Sequence, residues 1–98
     1  MKCGFVILHY LTANDTIECV KSIEDKCGGG CEVVIVDNCS NNGSIEEVER
    51  GLEYKNIHII KNDENLGFAR GNNIGYSYCR NVLGLETIIV CNNDTIIK

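Results

Sequence analysis

Glu64-Asn-Leu-Gly-Phe-Ala-Arg-Gly-Asn-Asn-Ile-Gly75 and, one helix length later, Ile88-Ile-Val-Cys-Asn-Asn-Asp-Thr95 are the stretches on which the reading of this chain turns. In the first, a Gly/Asn-rich turn opens a helix near Phe68. Glycine suits such a turn because it tolerates positive φ, and asparagine because its side chain bonds nearby backbone. In the second, an apolar strand ends in two amides and a carboxylate. Side by side at strand ends, the two could hold a diphosphate on backbone N–H groups and a divalent cation on Asp94.

Working outward, the same alternation fills the rest of the chain. Cys3–His9 is a continuous apolar run, the mark of a strand covered on both faces. Asn14 or Asp15 can cap a helix to about Lys26, with Ile17, Val20 and Ile23 on one face, and Gly28-Gly-Gly30 ends it. Glu32–Asp37 is a second buried strand, and Asn38–Gly43 is a turn. Ser44 caps a second helix to about Glu53, with Glu47 three residues on as a capping box wants. Asn56–Lys61 alternates as a third strand, Asn62–Gly67 is a loop, Phe68–Leu83 a third helix and Glu86–Cys91 a fourth strand. The alternation predicts an α/β protein: a Rossmann-like three-layer α/β/α domain on a mostly parallel sheet, with right-handed crossovers, over residues 1–98. Ligands of such sheets collect at the carboxyl ends of the strands. His9-Tyr10, Asp37-Asn38, Asn62–Gly67 and Asn92–Asp94 all fall there.

Ninety-eight residues suffice for one modest core. The formal net charge is −5 and no basic stripe exists, which argues against nucleic acid and against an anionic membrane surface as partners. A bound polyanion would have to be met locally, by backbone amides or a metal. No segment approaches the length of a membrane span. Met1-Lys2-Cys3 runs straight into a strand without a cleavage pattern, so no signal peptide is expected. There are seven cysteines, but Cys27-Gly-Gly-Gly-Cys31 with Cys39 is not a zinc-ligand spacing. Reduced cytoplasmic thiols are expected, with Cys3, Cys19, Cys79 and Cys91 as small buried hydrophobes.

Each polar cluster has a functional and a structural reading, and the residues alone leave both open. Asp37 can accept from a base N–H or a ribose hydroxyl, or it can start the Asn38–Gly43 turn by bonding its own backbone. Gly71 and Gly75, one helical turn apart, bare a stripe for a ligand or for tight packing on the sheet. Arg70 can pair with a phosphate or be a solvated helix residue. Asn92-Asn93-Asp94 can carry a Mg²⁺ or Mn²⁺ contact or be an ordinary turn. His9 and His58 have no partner at ligand spacing and receive no role. Gly-x-Gly-x-x-Gly after the first strand and Gly-x4-Gly-Lys-Ser/Thr are both missing, which excludes a dinucleotide fold and a P-loop. A nucleotidyltransferase would place glycine and a base where His9–Asn14 has neither.

With these residues in hand, the chain resembles the N-terminal half of a family 2 glycosyltransferase of the GT-A fold. The resemblance rests on Phe5-Val-Ile-Leu-His-Tyr10, Val34-Ile-Val-Asp37-Asn38-x-Ser40-x-x-Gly43-Ser44, Asn65–Gly75 and Val90-Cys-Asn-Asn-Asp-Thr95, and spans essentially all residues. The wording of the last two is most similar to the rhamnosyltransferase-type branch. The resemblance implies a nucleoside-diphosphate-sugar site. Tyr10 and the loop after it would flank the base and Asp37 would accept its N–H. Gly67 and Asn72 would lie near the ribose and diphosphate, with Arg70 as a nearby charge. Asn92 and Asp94 occupy the ends of the family's Asp-x-Asp motif, and Asp94 would contact a Mg²⁺ or Mn²⁺ ion bridging the phosphates. Two departures stand out: Asn92 replaces the first carboxylate, and Gly71 stands where many relatives place arginine.

The resemblance further implies inverting transfer of a UDP- or dTDP-linked sugar to a glycan or polysaccharide acceptor, in the cytoplasm or at the inner face of the membrane. The acceptor site and catalytic base are expected beyond Lys98, so this chain alone is expected to be inactive. The competing reading is a non-catalytic interaction module that keeps the fold. A sheet cut after its fourth strand leaves an edge that can pair, so a homodimer through that edge is expected on physical grounds.

Overall fold

The computed structural model describes residues 3–27, 30–52 and 55–93. Seven elements alternate along them: β1 (Cys3–His9), α1 (Ala13–Cys27), β2 (Cys31–Asp37), α2 (Ser44–Gly51), β3 (Ile57–Lys61), α3 (Phe68–Asn81) and β4 (Thr87–Asn92). The four strands form one parallel sheet in the order β3-β2-β1-β4. The chain therefore travels outward from β1 through β2 to β3, then returns to the far side of β1 for β4. With crossovers of one hand, reversing the direction of travel moves the connecting helix to the opposite face. That is where α3 lies.

The strand pleat sorts the core into two. Phe5, Ile7, Val33 and Ile35 pack with Val20 and Ile23 of α1 and Ile45 and Val48 of α2. Val6, Leu8, Val34 and Val36 face the other way, with Cys79 of α3 and Leu85. β1 and β2 are therefore apolar at nearly every position, as strands covered on both faces must be. The spacing of Gly71 and Gly75 is explained by packing. A Cβ on Gly75 would lie 2.4 Å from Val6 Cγ1 and 2.9 Å from Val36 Cγ2, and one on Gly71 would lie 2.6 Å from Leu8 Cδ1. These glycines let α3 sit directly on the sheet.

Several local expectations are corrected. α1 opens at Ala13, with the Thr16 N–H on the Thr12 carbonyl at 3.4 Å, so Asn14 and Asp15 lie inside the helix. Gly28 and Gly29 are outside the described residues. Ser44 does not cap α2: Gly43, at φ 81°, is the N-cap, and Asn42 Oδ1 just before it accepts the Ser44 N–H at 3.1 Å. The Ser44 hydroxyl is turned inward to His9 instead, so no capping box forms. α2 ends at Gly51, before extended Leu52, and α3 at Asn81. Cys3 and Cys31, opposite each other in register, are joined by a disulfide with Cα atoms 5.1 Å apart, which corrects the expectation of reduced thiols at this pair. Cys79 and Cys91 are buried, as expected, and burial pushes both thiols up.

β4 is an edge strand. Ile89 and Val90 on its two faces remain 41% and 46% exposed, so among the described residues apolar surface and ladder groups are left uncovered on that side.

Candidate functional site

Because all strands are parallel, their polar tips share one rim. His9, Asp37 and Lys61 are aligned across β1, β2 and β3, and Asn92 of β4 pairs with Leu8 of β1. The strand order reverses between β1 and β4. A crevice at such a switch point is where open α/β sheets bind ligands, because the two following segments diverge to opposite faces.

Tyr10 follows β1 on this rim and is 44% exposed. The chain then turns abruptly, with the Thr12 N–H on the Tyr10 carbonyl at 2.9 Å and Leu11 at φ 68°. That three-residue turn with positive φ at leucine is strained. The loop after β2 holds it in place: the Leu11 N–H donates to Ser40 Oγ at 2.8 Å, and Asn42 Nδ2 donates to the Leu11 carbonyl at 3.1 Å. Between the two loops lies an open hollow of about 350 Å³, with residues 11–15 on one wall and Asn42, Ser44 and Glu47 on the other.

Asp37 is buried at the tip of β2. Its Oδ1 accepts the Ser40 N–H at 3.1 Å, so the turn-forming reading holds for that oxygen. Lys61, at the tip of β3, is turned away to Glu49 of α2 at 3.0 Å, which raises its pKa.

Gly67 is the N-cap of α3 with φ 82°, a conformation that strains any residue with a Cβ. Arg70 is exposed on the first turn, with no ion pair among the described residues. Asn72 follows Gly71, which packs on Leu8 and Asn38 at the rim. On the other flank of α3, the Tyr78 ring meets that of His58 of β3 at a tilt of 53°, with ring centroids 5.7 Å apart. Asn72 and Tyr78 flank the glycine stripe on opposite sides at helical spacing. Asn72 therefore lies on the flank of α3 away from β3, toward β1 and β4. Its Oδ1 is buried and has no hydrogen-bond partner among the described residues. A buried acceptor without a donor costs about 1–3 kcal/mol, so it calls for an explanation.

Asn92 is exposed at the end of β4, and its carbonyl accepts the Cys19 thiol at 3.9 Å. Asp94 lies outside the described residues. Among the described residues, no group of three or more His, Cys, Asp and Glu side chains could hold a metal ion. Thus Tyr10, Asp37, Gly67, Asn72 and Asn92 share one rim, and Arg70 sits beside them in solvent.

Sequence reading missed His9. It is fully buried, with Nδ1 2.6 Å from Thr16 Oγ1 and Nε2 2.9 Å from Ser44 Oγ. Burial holds its pKa below the usual 6.5, against an opposing pull from Asp37, so it is neutral at pH 7. Asn93 Nδ2 extends the chain of bonds to Thr12 Oγ1 at 2.7 Å and Thr16 Oγ1 at 3.3 Å. The end of β4 is thereby tied to the loop after β1. One signal was available: a histidine closing an otherwise apolar strand must have partners if that strand is buried.

The Glycosyl transferase family 2 model matches residues 5–98. A hexosyltransferase of low-salt glycan biosynthesis, Agl10 of Haloferax volcanii, is 30% identical over 91 residues, which cover 93% of this chain and 27% of that protein. The crystal structure of S. aureus TarS 1-349 superposes with a TM-score of 0.77 at 21% identity, over 100% of this chain and 29% of TarS 1-349. A mannosyltransferase of Pyrobaculum calidifontis, solved with GDP-Man and Mn²⁺, gives 0.74 at 22% identity, over 96% of this chain and 28% of that one. The fold is that of the GT-A glycosyltransferases, and the chain spans little more than a quarter of these relatives' length.

Proposed function

Since this chain belongs to glycosyl transferase family 2, we propose that it is the donor-binding part of an inverting glycosyltransferase that takes a nucleoside-diphosphate sugar at the β1–β4 crevice. The observation that carries this reading is the buried, unpartnered Oδ1 of Asn72 on the flank of α3 toward β1 and β4. A ribose or sugar hydroxyl is the donor that such an acceptor lacks. The base is assigned to the loop after β1, where Tyr10 is exposed and residues 11–15 that follow it wall the hollow. Asp37 Oδ2, which makes no bond among the described residues, is left for a base N–H. Gly67 opens α3 with backbone N–H groups toward the diphosphate, and Arg70 is free to swing to it.

A Mg²⁺ or Mn²⁺ ion, when bound, would lend positive charge to the departing diphosphate. In this chain Asp94 is its proposed ligand, with Asn92 beside it. TarS has been solved with UDP and with UDP-GlcNAc, and the Pyrobaculum enzyme with GDP-Man, so the titration includes both UDP and GDP together with dTDP. The acceptor glycan and the catalytic base belong to the part of the relatives' length that this chain does not span, and transfer by this chain alone is not expected.

Calorimetric titration with UDP, dTDP and GDP, with and without Mn²⁺, tests the reading. Saturable binding of one of them, strengthened by Mn²⁺ and weakened in Asp37→Ala, Asn72→Ala and Asp94→Ala, is the expected result. Binding unaffected by all three substitutions refutes the assigned roles. The alternative, a non-catalytic interaction module, draws support from the uncovered β4 edge with exposed Ile89 and Val90. A stable dimer that binds no nucleotide selects it.

A further inference from the structure

We infer that Asn38 is a positioning residue for the donor site, the side chain that fixes where the 62–67 loop delivers the chain to α3. The inference rests on the donor-binding reading above and extends it to a residue that touches no ligand there. Asn38 follows β2 directly and is 3% exposed. Its backbone N–H donates to the His9 carbonyl at 3.0 Å, which binds it to the tip of β1 as well. Its side chain uses its whole hydrogen-bonding capacity on the loop. Nδ2 donates to Asn65 Oδ1 at 2.9 Å and to the Gly67 carbonyl at 3.3 Å. Oδ1 accepts from the Leu66 N–H at 2.9 Å and from Asn62 Nδ2 at 3.3 Å. Two donors and two acceptor sites are all that an amide offers.

Apart from Asn38, the loop is held at its start by the Asn62 N–H on the Asp37 carbonyl at 2.9 Å and by the Cys39 thiol on the Asp63 carbonyl at 3.3 Å. It contains no regular element, and its residues other than Asn62 and Leu66 are exposed. Asn65 Oδ1, besides meeting Asn38, accepts the Gly67 N–H at 2.9 Å. The two amides thus act together on Gly67, the N-cap at φ 82°. A Cβ on Gly71 would lie 3.7 Å from Asn38 Cγ, so Asn38 also sits beneath the first turn of α3. The Asn38 amide therefore locates Gly67, Arg70 and Asn72, which make the phosphate and ribose half of the site. The base half, Tyr10 to Asp15, is held separately by Ser40 and Asn42. This division gives the test.

NMR titrations with a nucleoside and with its diphosphate compare the wild type with Asn38→Ala, using the base that the wild type prefers. The expected result is a loss on the order of tenfold for the diphosphate, about one strong contact's worth, with nucleoside affinity changed less than about twofold. A merely structural role would weaken both ligands alike or neither. Asn38→Asp is the second variant. It keeps the acceptor for Leu66 but turns an oxygen toward Asn65 Oδ1 and the Gly67 carbonyl, so it should lose diphosphate binding at least as strongly. Without ligand, amide exchange at Leu66 and Gly67 should quicken in both variants while exchange in β1 and β2 stays slow. A wild type that binds no nucleoside diphosphate overturns the donor-site reading and this inference with it. A wild type that binds, with Asn38 variants that bind equally or lose both ligands equally, overturns the inference alone.

Discussion

Replacing Gly75 by alanine sets helix propensity against packing. In an exposed helix, Gly→Ala gains about 1 kcal/mol. At Gly75 the new methyl would arrive 2.4 Å from Val6 Cγ1 and 2.9 Å from Val36 Cγ2. Ordinary carbon contacts lie at roughly 3.5–4.0 Å, so α3 would have to rise from the sheet by about 1 Å. Neither valine can turn aside, because both are fully buried and β-branched side chains are held to few rotamers. Overpacking of this kind costs about 1–3 kcal/mol, and two rigid contacts place it near the upper end. After the propensity gain, a net loss of about 2 kcal/mol is expected, roughly a thirtyfold fall in the folded-to-unfolded ratio. Urea unfolding of the wild type, Gly75→Ala, Val6→Ala and the double variant measures it. Since Val6 supplies the closest contact, the double variant should be more stable than the sum of the singles predicts by about 1 kcal/mol. Gly71→Ala is the control. Its closest contact is the far end of Leu8, which can swing away, so it should cost less. A Gly75→Ala variant as stable as the wild type, or a coupling to Val6 below about 0.3 kcal/mol, refutes the packing account.

Three further outcomes are expected. His9 has a folded pKa below its ordinary 6.5, so on acidification the unfolded chain takes up the proton first. Its contribution to stability is therefore complete above pH 6.5 and falls away below it; urea midpoints at about pH 7.5 and about pH 5.5 should show the drop, and His9→Asn should lessen it. Asn72→Ala removes a buried acceptor without a partner, so it should leave urea stability within about 0.5 kcal/mol of wild type or raise it while weakening nucleotide binding. A clear loss of stability would show that Asn72 serves the fold instead. Self-association through the β4 edge should appear in sedimentation as a concentration-dependent dimer and be reduced by Val90→Lys, which places a charge on a 46% exposed edge position.

The amino-acid sequence by itself determined the element list, the α/β class and the set of polar strand tips. Unbroken apolar runs at Cys3–His9 and Val33–Val36, and Gly/Asn turns between them, are local signals, and local signals place elements to within a residue or two. Tertiary structure decided the rest. The order β3-β2-β1-β4 puts the crevice between β1 and β4, and nothing periodic in the chain encodes which strands become neighbours. Ser44 looked like a helix cap from its three-residue spacing to Glu47, yet its hydroxyl serves His9, 35 residues away. Asn38 looked like a turn residue, and its partners Asn62 and Asn65 lie 24 and 27 residues on. Asn93 reaches back 81 residues to Thr12. A side-chain amide or hydroxyl bonds with equal readiness to its own turn or to a distant strand end, so only the fold, by bringing one of those partners within hydrogen-bonding distance and excluding the others, decides what each of these residues does.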